Sequence, residues 1–200
     1  MEFCKFETEF TAITVMEKAF LPNMFSVGVT FTVNEIDPTQ QNVAFQRIKH
    51  FIENEMNFTM IINKGNSMFK NLIKQQNKVV LLPNDSPDWA LCCALNLKLN
   101  AIAEGRFVVN LVELSSAIGD HVTYYADWER KDLLESVLED LPKADQWWTN
   151  PAVTFNRHQE FNSWEELGLV WNLTKQDKKA NMGTIIQFNP TVVKGGLNNQ

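Results

Sequence analysis

Two hundred residues suffice for one domain with a sizeable core, and 44% hydrophobic against 21% charged residues excludes a disordered chain. A formal charge of −6 argues against a generalised nucleic-acid or anionic-membrane surface, since both need a concentrated positive field. No apolar run approaches the roughly 20 residues of a membrane-spanning helix.

Other features of composition point to a compartment. The first residues lack the basic and then apolar layout of a secretory signal. Cys4, Cys92 and Cys93 are odd in number, and the last two are adjacent, so an ordinary disulfide is not expected between them. A reducing, cytoplasmic setting is the expectation (a host's cytoplasm if the source is viral). Lys175, Lys178 and Lys179 form the densest basic group and read as a solvated turn.

Glu9 to Phe20 reads as a first strand, with Ile13 and Val15 alternating against Ala12, Thr14 and Met16. Leu21-Pro22-Asn23 reads as the break that returns it as a hairpin. Phe25, Val27, Val29, Phe31 and Val33 then alternate with Ser26, Gly28, Thr30, Thr32 and Asn34, the period of a half-buried strand. Asp37-Pro38-Thr39-Gln40 starts a helix, with Asp37 as cap, Pro38 in the first turn and Gln40 completing a capping-box variant. Phe45, Ile48, Ile52 and Met56 carry its apolar face to about Asn57. Phe58 to Ile62 suits a strand, because Asn57 closes the helix and Thr59, Ile61 and Ile62 are poor helix formers.

A short helix from Ser67 to Gln76 leads to an interior strand, Lys78 to Leu82, ended by Pro83. Ser86-Pro87 opens a second long helix with Leu91, Leu95, Leu99 and Ile102 on its buried side and Gly105 as its stop. Phe107 to Leu114 is apolar at nearly every position, as in a strand covered on both faces. His121 to Ala126 follows as a strand. Asp127 caps a third helix that buries Leu134, Val137, Leu138 and Leu141. Val153 and Phe155 mark a short strand, Leu167 to Leu173 and Thr184 to Val193 a final strand pair, and 194–200 a frayed tail. Without a repeat or linker, the expectation is a single domain, 1–200, with its core at about 9–114 and a C-terminal extension at about 119–193.

The order from Phe25 to Leu114 is β, α, β, short helix, β, α, β. It predicts an α+β fold: a ferredoxin-like βαββαβ sandwich, with an N-terminal strand and a C-terminal α/β extension. If Phe58 to Ile62 were helical, a three-layer, doubly wound α/β sheet would follow.

Chemistry is thinly marked. The strand-to-helix junctions Glu35-Ile36-Asp37-Pro38 and Asn84-Asp85-Ser86-Pro87-Asp88 lack glycine and carry carboxylates, so a standard phosphate loop is not expected. His121 and Tyr125, near Asp120, Tyr124 and Asp127, form the densest group able to exchange protons. His158 and Glu160 would share a face and form a second such group. A metal site needs three or four ligands, and the sequence supplies a pair plus distant His50, so neither a metal nor another cofactor is expected. Cys92 and Cys93 lie among apolar residues and read as core.

Trp128, Trp147, Trp148, Trp164 and Trp171 are all in the last half of the chain. Adjacent Trp147 and Trp148 cannot both point inward from an extended segment, which marks them as candidate ligand or partner contacts. The leading expectation is a non-catalytic protein that self-associates or binds a protein partner. The rival is a small-molecule enzyme with His121, Tyr125, His158 and Glu160 converging in a pocket. Single-stranded nucleic-acid binding on the sheet face ranks last, since Ser26, Gly28, Thr30 and Thr32 supply neither aromatic nor basic groups there.

Overall fold

The first two strands form one long hairpin. β1 (Phe3–Met16) and β2 (Ala19–Val33) pair antiparallel from Cys4↔Phe31 to Met16↔Ala19. The chain turns at Glu17-Lys18, with Glu17 in the left-handed region at φ 51°. The break expected at Leu21-Pro22-Asn23 therefore lies inside β2. Its tolerance has a local cause: the Met24 carbonyl points away from β1 and accepts from the Ala117 amide at 3.0 Å. Alternation turns the Pro22 backbone outward too, so its missing N–H removes no hairpin bond.

The computed structural model describes residues 3–75, 78–83, 86–155, 163–171 and 192–193. After β2 come α1 (Pro38–His50), β3 (Thr59–Asn63), α2 (Phe69–Lys74), β4 (Val79–Leu82), α3 (Pro87–Ala103), β5 (Phe107–Ser116), β6 (Tyr124–Asp127), α4 (Lys131–Leu138) and β7 (Val192–Val193). Asp37 caps α1 as expected, its carboxylate accepting from the Thr39 amide at 2.8 Å. Gln40 does not complete the capping box. Its side-chain oxygen accepts from Arg106 at 3.1 Å, and Glu35 receives the Ile36 and Asp37 amides instead. Past His50 the helix widens into a π turn, Phe51–Glu55, closed by the Met56 amide on the Phe51 carbonyl. That extra residue keeps Ile48, Phe51, Ile52 and Met56 all buried.

The sheet is mixed and curled, with strand order β4-β3-β1-β2-β5-β6 and β7 paired to β1 at Phe3 and Cys4. This is not the ferredoxin-like order. β1 inserts between β2 and β3, and β3 and β4 run parallel instead of forming a hairpin. The strand read at Phe58 to Ile62 is β3, shifted by one residue to Thr59–Asn63, so the helical reading that led to a doubly wound sheet does not hold either. The N-terminal strand, taken as an appendage, is central because it pairs with β2 along its length and, on its other edge, with β3 at Ala12–Val15 and β7 at Phe3 and Cys4.

Handedness decides which faces are covered. The crossovers β3-α2-β4 and β4-α3-β5 both join parallel strands but step across the sheet in opposite directions. Right-handed connection then sets short α2 and long α3 on opposite faces. α3 packs with α1 on one side, over Phe10, Phe25, Val27, Val29, Phe31 and Phe107. Sheet, α1, α4 and the 147–155 segment surround α3, so Ala90 to Leu95 are buried on every side and not on one stripe. On the opposite side Ile62, Val79 and Leu81 are buried at the α2 end, and the remaining face is left open.

Several expected elements change accordingly. β5 is not covered on both faces: Phe107, Val109, Val112 and Leu114 point inward, while Asn110, Glu113 and Ser115 are only partly covered. A register shift at Thr30/Phe31 preserves that alternation. Val153 and Phe155 are buried but irregular, and the described residues 167–171 form no strand. The strand expected from Thr184 lies outside the described residues apart from Val192 and Val193.

Candidate functional site

The open face is read in rows across the strands. One row runs Glu7, Gly28, Glu113 and Tyr125; its neighbours are Lys5, Thr30, Leu111 and Asp127 on one side, and Glu9, Ser26 and Ser115 on the other. Lys5 Nζ lies 2.9 Å from Glu7 and 2.8 Å from Glu113, reaching across β2. Gly28 makes that reach possible: a Cβ there would stand 2.6 Å from the Glu113 carboxylate. Hydrogen bonds that Lys5 donates to Glu113 and Glu7 hold its ammonium well above the ordinary lysine range. Gly28 is also the floor of a trough of about 440 Å³ walled by Glu7, Glu9, Glu113, Ser115 and Thr123. Glu9 accepts from Ser26 at 3.1 Å and has no ion-pair partner among the described residues.

Toward the hairpin turn the same face becomes apolar. The rows are Thr11 and Met24; Ile13, Pro22 and Met60; Val15, Phe20 and Ile62. Val15 and Ile62 are buried, but Phe20 is 42% and Met24 44% exposed. Phe58, one step before β3, is 79% exposed with its amide on the Thr11 carbonyl at 2.8 Å. It also has φ 59°, a strained conformation for an aromatic residue. Ile118 and Val122 in the turn after β5 are also exposed, as are Met16 and Leu21 at the hairpin end, which alternation turns to the other face. The Ile118 amide joins that turn to Asn23 at 3.1 Å.

The residues singled out from sequence are distributed differently. Tyr125 stands on the open face beside Glu113, 56% exposed, while Tyr124 turns to the core side against Trp89. His121 is not on the strand but in the preceding turn, exposed, at φ 58°. It therefore does not share a strand face with Tyr125. His158 and Glu160, like Lys175, Lys178 and Lys179, lie outside the described residues. Trp147 and Trp148 are 4% and 2% exposed. A 3-10 turn, not an extended segment, lets both face inward. Trp147 packs on Phe51 and Phe155 and donates to the Leu81 carbonyl at 3.1 Å. Trp148 lines an open groove of about 840 Å³ between α3 and α4, with Trp128, Leu138 and Phe107.

Three buried ionic groups escaped the sequence reading. Lys98, fully buried on α3, donates to the carbonyls of Trp147 at 3.2 Å, Asn150 at 2.7 Å and Ala152 at 2.7 Å. Burial pushes its ammonium down to about 7. Arg47 stacks on Trp171 at 3.8 Å and Trp164 at 4.9 Å, and bonds Glu104 and the Leu169 carbonyl. Burial lowers its pKa, and Glu104 opposes that. Glu55, in the π turn, lies 3.4 Å from both His50 and Lys78. The His50 contact is an ion-pair distance without hydrogen-bond alignment. Burial raises the Glu55 carboxyl, but these contacts outweigh it and leave the group below its ordinary range. In sequence Arg47 stood beside Gln46, Lys49 and His50, and Glu55 beside Glu53 and Asn54, so only Lys98, amid Leu95, Leu97 and Leu99, carried a visible signal.

All three cysteines are buried thiols. Burial pushes the Cys92 thiol up, away from reactivity. Among the described residues no cluster of metal-ligating side chains occurs, and no helix is long and apolar enough to cross a membrane. Comparison with known protein families and with curated proteins finds no match to this chain. The class defined by the fold is a mixed α/β protein with one open sheet face.

Proposed function

We propose that this protein works by binding another polypeptide, without chemistry of its own, and that the open face of its sheet is the binding surface. The observation that carries the reading is the apolar end of that face, where Phe20, Met24 and Phe58 stand exposed together. Contiguous exposed apolar surface of this kind marks interaction sites, because leaving it in water is unfavourable by about 25 cal/mol per Å². Strain held at exposed Phe58 supports the same reading, since nothing in its packing calls for an aromatic side chain there. The acidic trough beside the apolar rows repels phosphate, which disfavours nucleic acid as the partner. Three buried thiols support a reducing, cytoplasmic setting.

A photo-reactive phenylalanine analogue placed at position 20 in expressing cells tests the reading. The expected product is a cross-link to a polypeptide that disappears with Met24→Asp. Its mass separates self-association from a different partner. Cross-linking no stronger than from the same probe at position 135, exposed on α4, would overturn the proposal.

A further inference from the structure

We infer that the occupant of the open face is a basic, amphipathic polypeptide segment, laying apolar side chains on Phe20, Met24 and Phe58 and setting lysines or arginines over the adjacent trough. The inference rests on the docking role proposed above and names the partner's chemistry. The apolar and acidic halves are consecutive: Met24 and Thr11 form one row, and Ser26 and Glu9 form the next. Neighbouring rows are two residues apart, about 7 Å along a strand. Any segment long enough to cover Met24 and Phe20 therefore reaches Glu9 and the trough.

The charge there is one-sided. Glu7, Glu9 and Glu113 face a single ammonium, Lys5, leaving two negative charges in excess. A second copy would bring the same trough and a chain of net charge −6, and like charges set against each other suppress pairing. Beside the apolar rows the partner also lies across the face instead of extending β2. At the free edge of β2, Pro22 removes the N–H that an added strand would need.

Two labelled twelve-residue probes test this by fluorescence polarisation with the purified chain: alternating Lys-Leu, and alternating Glu-Leu. The expected result is that the Lys-Leu probe binds at least about tenfold more tightly at low salt, with the ratio shrinking as salt rises. Glu9→Lys should weaken it about tenfold, whereas Glu135→Lys, the same charge change on α4, should not. Met24→Asp should abolish binding, and Met24→Ser should weaken it if the aspartate variant misfolds.

The failures are distinguishable. Binding unaffected by both Met24 variants overturns the docking face itself. Binding that needs Met24 but ignores Glu9, or responds equally to Glu135→Lys, leaves the docking face and overturns the basic partner. A concentration-dependent dimer of the purified chain, lost in Met24→Asp, would make a second copy the occupant and also overturn it.

Discussion

Lys98→Met isolates the least ordinary interaction in the core. The wild-type ammonium is fully buried, has three close carbonyl acceptors and the Phe51 ring 5.2 Å away, and pairs with no carboxylate among the described residues. Methionine keeps most of the side-chain length and removes the charge and all three donors. Two terms then compete. The carbonyls lose their donors, at about 1–3 kcal/mol for each one left buried and unpaired. Against this, the penalty for holding a charge out of water, several kcal/mol, is relieved.

Their balance depends on pH in a definite direction. Folding lowers the Lys98 pKa from 10.5 to about 7, so between those values the unfolded chain holds more protons than the native one. Stability contributed by Lys98 therefore rises with pH through about 7 and levels off above the unfolded value. From pH 6 to pH 9 the gain is about 2.5 kcal/mol at most, since the carbonyl dipoles favour the charged form and reduce it. Urea unfolding of both chains, followed by tryptophan fluorescence, measures the difference. The wild type should exceed Lys98→Met by clearly more at pH 9 than at pH 6, with the gap growing by 1 to 2 kcal/mol, a rough figure below that ceiling. A gap of equal size at the two pH values would refute the reasoning.

Other outcomes follow from the same structure. Phe58→Gly should raise stability by about 1 kcal/mol in thermal unfolding, because glycine accepts φ 59° freely, and should weaken docking. Arg47→Lys should cost about 2 kcal/mol, since an ammonium cannot reproduce the planar stack on Trp171 and Trp164. Faster hydrogen exchange over residues 163–171, with 87–95 unchanged, is the accompanying readout. Glu55→Gln should be destabilising near neutral pH, and the difference from wild type should vanish as pH falls below the carboxylate range. The folded carboxyl sits below its unfolded value, so its contribution is present above the unfolded pKa and lost as acid protonates it. Melting curves at pH 7 and pH 3 check the sign.

Local order was largely legible in the chain. The Phe25 to Val33 alternation, the Asp37 cap, the strand at Phe58 to Ile62 and the Ser86-Pro87 helix start are set by period-two burial, capping chemistry and β-branching, all local properties. The outward positions Ser26, Gly28 and Thr30 could be read from the same alternation. Phe20, Pro22 and Met24 continue that phase, but proline suggested a break and concealed the apolar half of the face. Only strand pairing showed that Pro22 sits where no donor is needed.

Alternation thus determined which residues of β2 leave the core, while nothing local determined what would lie over them. That depended on the insertion of β1 between β2 and β3 and on the opposite steps of the two crossovers, which are contacts between residues far apart in the chain. The same long-range packing brought Lys98 to the carbonyls of 147–152 and Arg47 to Trp171. The sequence by itself therefore settled the alternation of β2, the start of α1 and the places of β3 and α3. Tertiary structure alone decided which part of the second face stays uncovered, with Met24, Glu9 and their neighbours exposed.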